Sequence, residues 1–113
     1  MTAATATRAA VHNLGPAERI PPGEGRTFLV GGVEVSVFRG RDGGIFATQA
    51  KCPHREGPLA DGIVGGGVVI CPLHAYKFRL STGAAIGHSC GDLVTYRTWL
   101  DGGDVCIETP ASD

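Results

Sequence analysis

The chain has 113 residues and a net charge of −1, from 10 Lys and Arg against 11 Asp and Glu. That length fits one domain, and the near-neutral charge, with no basic stripe, excludes an electrostatic nucleic-acid surface. No run approaches the roughly 20 apolar residues that a membrane-spanning helix needs, and 18 Gly with seven Pro predict turns and short strands rather than long helices.

Residues 1–10 open with Met1-Thr2-Ala3-Ala4-Thr5-Ala6-Thr7-Arg8, which has neither an apolar core nor a twin-Arg signal, so the segment is a flexible tail rather than an export peptide. Residues 11–113 form the single domain. Val11-His12-Asn13-Leu14 begins a first strand, which Gly15-Pro16 breaks, and Ile20 to Gly25 is a loop by its prolines and glycines. Thr27 to Val30 and Val33 to Phe38 flank Gly31-Gly32 and predict a hairpin with a two-residue primed turn; the second arm alternates apolar and polar, as a half-buried strand does. Arg41-Asp42-Gly43-Gly44 turns the chain into a strand over Ile45 to Gln49.

Two short loops follow, and they carry the chemistry. One is Cys52-Pro53-His54-Arg55-Glu56-Gly57-Pro58-Leu59 and the other Cys71-Pro72-Leu73-His74-Ala75-Tyr76. Between them, Asp61 to Gly67 is a turn before the short apolar strand Val68-Val69-Ile70. Its glycines do not spell Gly-x-Gly-x-x-Gly, and no helix follows, so a nucleotide loop is excluded. Lys77 to Leu80 alternates again, Ser81-Thr82-Gly83 turns the chain, and Gly87 to Gly91 is loop. Leu93 to Leu100 and Val105 to Ile107 form a last hairpin across Asp101-Gly102-Gly103, with Tyr96 and Trp99 as core or sheet-face packing rather than cofactor contacts. No helix is predicted, and many short strands with frequent turns argue an all-β sandwich or barrel.

Each loop offers one thiolate and one imidazole, as Cys-x-His and Cys-x-x-His, with 16 residues between the pairs. Two Cys and two His form the ligand set of a Rieske [2Fe–2S] centre, and also a zinc set. Zinc fingers usually pair Cys with Cys and His with His, whereas Cys and His alternate here, which favours the cluster. Two ferric ions, two sulfides and two thiolates sum to a formal charge of about zero, against about −2 for an all-Cys cluster, so an added electron is accepted more readily. His12 and His88 lack a ligand partner at suitable spacing and read as surface or loop histidines.

The segment Cys52 to Gly83 resembles the Rieske family, down to Gly57-Pro58-Leu59 after the first pair and Ser81-Thr82-Gly83 after the second. The resemblance implies an antiparallel Rieske-like sandwich or barrel, with a cluster-binding subdomain at about residues 50–83. It further implies that Cys52 and Cys71 hold the inner iron and His54 and His74 the outer one, their rings exposed at a tip where a redox partner docks. Lys51, Arg55 and Lys77 flank that tip and suit an acidic partner, although a solvated rim fits them as well. High-potential members resemble one another in a loop disulfide and in a Ser two residues after the second His. Gly57, Leu73 and Tyr76 stand at those positions here, which implies a potential at the low end of the Rieske range. Cys90 and Cys106 lie far downstream and read as small buried or half-buried apolar residues.

No nucleophile with a base, second metal set or phosphate loop accompanies these ligands, so the chain reads as an electron carrier or subunit without a complete active site of its own. Gly57 to Val64 and Cys90 to Tyr96 resemble the small subunit of assimilatory NAD(P)H nitrite reductase, which implies a large-subunit partner carrying flavin, an iron–sulfur cluster and sirohaem that reduces nitrite to ammonium. The alternative resemblance is to the Rieske ferredoxins of ring-hydroxylating dioxygenases, which serve a reductase and an oxygenase in turn. Those usually carry Gly and then Trp after the second His, where this chain has Ala75 and Tyr76. The flanks favour the first. With no export signal and two cysteines assigned to metal, the expected location is the cytoplasm, without nucleic-acid or membrane partners.

Overall fold

The computed structural model describes residues 9–53, 57–72, 75–87 and 91–110. They form two antiparallel sheets. β1 (Ala9–Pro16), β2 (Glu24–Val30), β3 (Val33–Arg39), β4 (Ile45–Gln49), β9 (Thr95–Asp101) and β10 (Asp104–Pro110) make a six-stranded sheet in the order β1-β10-β9-β4-β3-β2. β5 (Ile63–Gly65), β6 (Val68–Ile70), β7 (Lys77–Arg79) and β8 (Ala85–Ile86) make a four-stranded sheet in chain order. The fold is all-β and Rieske-like, as the sequence implied. Two 3₁₀ turns, Ala17–Arg19 and Leu59–Asp61, are the helical structure among the described residues.

The three tightest hairpins share one turn chemistry. Val30 pairs with Val33 across Gly31 and Gly32, at φ 57° and 84°. Gly65 pairs with Val68 across Gly66 and Gly67, at 59° and 76°, and Asp101 pairs with Asp104 across Gly102 and Gly103, at 61° and 92°. Positive φ at both central residues is the primed turn that matches strand twist, and glycine adopts it without a Cβ penalty.

Three expectations change in detail. β1 begins at Ala9, two residues into the expected tail, and runs through Gly15 to end at Pro16, which pairs with Asp104 beyond a bulge. The Asn13 Oδ1 accepts a 2.8 Å hydrogen bond from the Gly15 amide there, and a proline without N–H is tolerated because β1 is an edge strand. Ile63–Gly65 is a strand rather than part of a turn, and Ala85–Ile86 adds an unexpected short one.

β3 is not half-buried. Val35, Ser36, Val37 and Phe38 are all buried, because both faces of the strand are covered. One face carries Val35 and Val37 into an aliphatic core with Ile20, Val30, Ala47, Val105 and Ile107. The other carries Phe38 into a second core with Leu59, Val64, Val69, Phe78, Leu80, Leu93 and the two cysteines Cys52 and Cys71. Ser36 on that face is satisfied by donating its hydroxyl to the Ala50 carbonyl at 3.4 Å.

Candidate metal centre

Each cysteine loop grows from a different sheet and is closed at its base by backbone hydrogen bonds. The first continues outward from β4. Leu59 donates its amide to the Ala50 carbonyl at 3.0 Å, Lys51 bridges Pro58, and Cys52 donates its amide to the Gly57 carbonyl at 2.9 Å. The second grows from β6 and β7: Ile70 pairs with Lys77, and Cys71 donates its amide to the Tyr76 carbonyl at 2.7 Å. In both loops the cysteine amide meets the carbonyl five residues further on. The unequal spacings, Cys-x-His and Cys-x-x-His, conceal this equal closure.

Cys52 and Cys71 are each 1% exposed, unbridged, and members of the same apolar core. Two buried cysteines reach that core from separate sheets, one from each loop. Deprotonated and metal-bound, they satisfy the Rieske requirement for two thiolates, so the residues present fit the cluster. His54 and His74, the other two sequence-predicted ligands, lie outside the described residues, as do Arg55, Leu73, His88 and Cys90. Lys51, Pro72, Ala75 and Lys77 are exposed around the loops, whereas Gly57 is buried. Tyr76 is half-buried and packs against the cysteine-bearing core. Ala75 takes the left-handed conformation at φ 56°, an uncommon state for a residue with a side chain. Of the remaining residues of interest, Cys106 is buried as expected and Tyr96 packs against the aliphatic core. His12 sits 3.5 Å from the Thr109 hydroxyl, away from both loops in the sequence and in the sheet order.

Sequence reasoning missed Gln49, which braces the first loop. Its side-chain amide donates to the Lys51 carbonyl at 2.7 Å, while its carbonyl oxygen accepts from the Val94 amide at 2.8 Å. Gln49 thereby ties the start of the loop to the approach to β9. It also missed Gly62, where the chain leaving the first loop crosses the Ile70 carbonyl just before Cys71. A glycine carries no signal of such crowding until the fold brings a second segment to it.

Comparison with known proteins agrees with this architecture. A family model for the Rieske [2Fe-2S] domain matches residues 10–97. The biphenyl dioxygenase ferredoxin subunit of Pseudomonas sp. (strain KKS102) is 36% identical over 93 residues, covering 80% of this chain and 84% of that protein. A 4beta-methylsterol monooxygenase of Methylococcus capsulatus is 35% identical over 60 residues, and there the match spans 53% of this chain but only 16% of the larger protein. Among solved structures, a putative NADH-dependent nitrite reductase small subunit from Mycobacterium tuberculosis superposes with a TM-score of 0.85 at 23% identity, covering 93% of this chain and 99% of that one, a likeness of fold. Two buried cysteines at the bases of two similarly closed loops, on a Rieske-like body whose sequence matches the family over most of its length, lead to one assignment: the chain belongs to the Rieske [2Fe–2S] family and is an electron-transfer protein carrying that cluster.

Proposed function

We propose that the cluster is held by Cys52, His54, Cys71 and His74, and that the chain is the electron-transferring small subunit of a NAD(P)H-dependent nitrite reductase. The cluster, when bound, supplies one-electron chemistry. The chain's own residues bury its sulfur side, hold the two loops at fixed separation and present a docking face.

The observation that carries the finer reading is that face. Cross-strand register aligns Ile63, Ile70, Lys77 and Ile86 in one row across the four-stranded sheet. The neighbouring row, Val64, Val69, Phe78 and Ala85, points the other way, into or against the cysteine-bearing core. The outer row is therefore turned from that core, with Ile63 70% exposed and Ile70 and Ile86 half-buried. It runs directly into the Cys71 loop, where Pro72 and Ala75 extend it as exposed apolar surface. An apolar band beside the redox site suits a lasting subunit contact, since permanent interfaces are the more hydrophobic ones. The resemblance of Gly57 to Val64 and of Cys90 to Tyr96 to nitrite-reductase small subunits points the same way. The fixed acceptor is then a large subunit that reduces nitrite to ammonium, and the protein works in the cytoplasm.

A second reading, a Rieske ferredoxin delivering electrons to a ring-hydroxylating dioxygenase, is favoured by the 36% identity to the biphenyl dioxygenase ferredoxin subunit. Shuttling between a reductase and an oxygenase calls for weak, salt-sensitive contacts. Co-expression with a candidate nitrite reductase large subunit and purification on one tag separates the two. The expected result is co-elution, NAD(P)H-dependent nitrite reduction that collapses in His54→Ala, and loss of co-elution in Ile63→Asp with the red-brown colour retained. Failure to co-elute, combined with rapid electron delivery to a ring-hydroxylating oxygenase, overturns the nitrite reductase assignment.

A further inference from the structure

The two cysteine loops belong to different sheets, so something must fix the distance between them. The chain leaving the first loop passes through the Leu59–Asp61 turn, where the Asp61 amide donates to the Pro58 carbonyl at 3.1 Å and the Gly62 amide to the Leu59 carbonyl at 2.9 Å. It then enters β5, whose first residue, Ile63, pairs with Ile70, the residue before Cys71. Gly62 is thus the crossing point from one loop's return to the other loop's supporting strand. A Cβ there would stand 2.3 Å from the Ile70 oxygen, 3.1 Å from the Leu59 oxygen and 3.2 Å from the Ile70 carbonyl carbon.

These neighbours are all backbone atoms, so no rotamer change relieves the contact. Backbone conformation does not explain the glycine, because Gly62 has φ −76° and ψ 174°, an extended geometry open to any residue. What selects glycine is the missing side chain. We propose that Gly62 is a positioning residue for the cluster: its bare α-carbon lets the first loop's return seat against the Ile70 carbonyl, and that seam sets the separation of Cys52 from Cys71. The inference rests on the family reading for the presence of the cluster and adds what holds its ligands in place. Any side chain must push the seam open by about 1 Å, a displacement that forfeits packing contacts and moves one sulfur relative to the other. Cluster electronics respond to such outer-shell changes, because hydrogen bonds to the sulfurs and their surroundings tune the potential.

Gly65, three positions on in the same β5–β6 hairpin, is the control. A Cβ there meets nothing within 4 Å, and no left-handed φ stands against a side chain. Gly62→Ala and Gly65→Ala are purified anaerobically, and three readouts compared with the parent: the electron paramagnetic resonance spectrum of the reduced cluster, the reduction potential, and the rate of cluster loss to an iron chelator. The expected result is shifted g-values, a shifted potential and cluster loss at least tenfold faster in Gly62→Ala, with Gly65→Ala matching the parent. A Gly62→Ala protein with parental spectrum, potential and loss rate overturns the proposal, as does one that only melts earlier with an unchanged spectrum and potential.

If Gly62→Ala yields no loaded protein, hydrogen exchange on the parent chain decides. After chelation, continued protection of the Ile63 amide supports a seam that exists before the cluster does; loss of that protection shows that the cluster makes the seam, and overturns it. Iron and sulfide content of the parent is read first. A parent without two of each would refute the cluster reading itself, an outcome separate from any of these.

Discussion

The strands of the six-stranded sheet are five to eight residues long, whereas those of the four-stranded sheet are two or three. The longer strands enclose an aliphatic core of Ile20, Val30, Val35, Val37, Val105 and Ile107, which contains neither Cys52 nor Cys71. The shorter strands share a core in which Cys52 and Cys71 are themselves members, packed with Phe38, Leu59, Val69 and Phe78. A strand of three residues makes few ladder hydrogen bonds, and small sheets need packing from elsewhere to persist. One half of the molecule is thus a scaffold with its own apolar driving force. The other is built on shorter strands and holds in its core the two cysteines proposed as ligands, so that metal binding there would couple to its folding. The division places stability in one region and chemistry in the other, joined through β3, which is buried on both faces.

The strongest way to test that division is to remove one thiolate. Cys71→Ser should abolish the red-brown colour, and hydrogen exchange should show β5 to β8 losing protection while β3, β4, β9 and β10 keep theirs. The asymmetry is the point of the measurement, because uniform loss would mean that the scaffold also depends on the metal. The reduction potential sharpens the same comparison in the intact protein. Gly57 and Tyr76 stand where high-potential relatives carry a disulfide cysteine and a hydrogen-bonding serine. The expected value lies at the low end of the range of roughly −150 to +300 mV for these centres, and voltammetry near the top would refute it.

A matched pair of core truncations comes next. Phe38 and Ile107 are both fully buried, one in each core. Phe38→Ala should cost about 3–5 kcal/mol and Ile107→Ala about 2–5 kcal/mol in chemical denaturation, so both damage the fold comparably. Only Phe38→Ala should also speed cluster loss, since it empties the space beside Leu59 and the cysteines. Equal acceleration by the two variants would show that the cores act as one.

What the sequence made legible follows the same line between local and distant causes. The two cysteine loops and the Gly-Gly hairpins were readable because each is specified by residues adjacent in the chain. The double burial of β3 was not. Val33 to Phe38 alternates like a half-buried strand, and only the docking of a second sheet covers Ser36 and Phe38. Ile63–Gly65 and Ala85–Ile86 are too short to show a period, and they are strands because longer-range partners pair with them. Gly15-Pro16 reads as a break after Leu14 because the sequence does not reveal that β1 is an edge strand, where the missing donor costs nothing and pairing reaches Pro16. Gly62 and Gln49 belong to the same class: both act through segments remote in sequence, the Ile70 carbonyl for one and the Val94 amide for the other.

The smallest expected effect tests whether surface charge helps hold the two sheets together. Arg97 lines a shallow groove between them with Phe46, Leu80 and Ser81. Its guanidinium lies 5.4 Å from the Trp99 ring centroid and 3.8 Å from a Glu108 carboxylate oxygen. The side chain is 79% exposed, so solvent and salt screen both interactions, and each contributes at most about 1 kcal/mol. Beneath the groove Phe46 packs on the cysteine-bearing core, and that contact is apolar and indifferent to ionic strength. Arg97→Ala should therefore lower stability by less than about 1 kcal/mol, a deficit that shrinks further in 1 M salt, where the Debye length is about 3 Å. Cluster lifetime and potential should match the parent at every salt concentration. A variant that loses its cluster faster at low salt would mean that charge, and not the shared apolar core through Phe38 and Phe46, couples the scaffold to the four-stranded half.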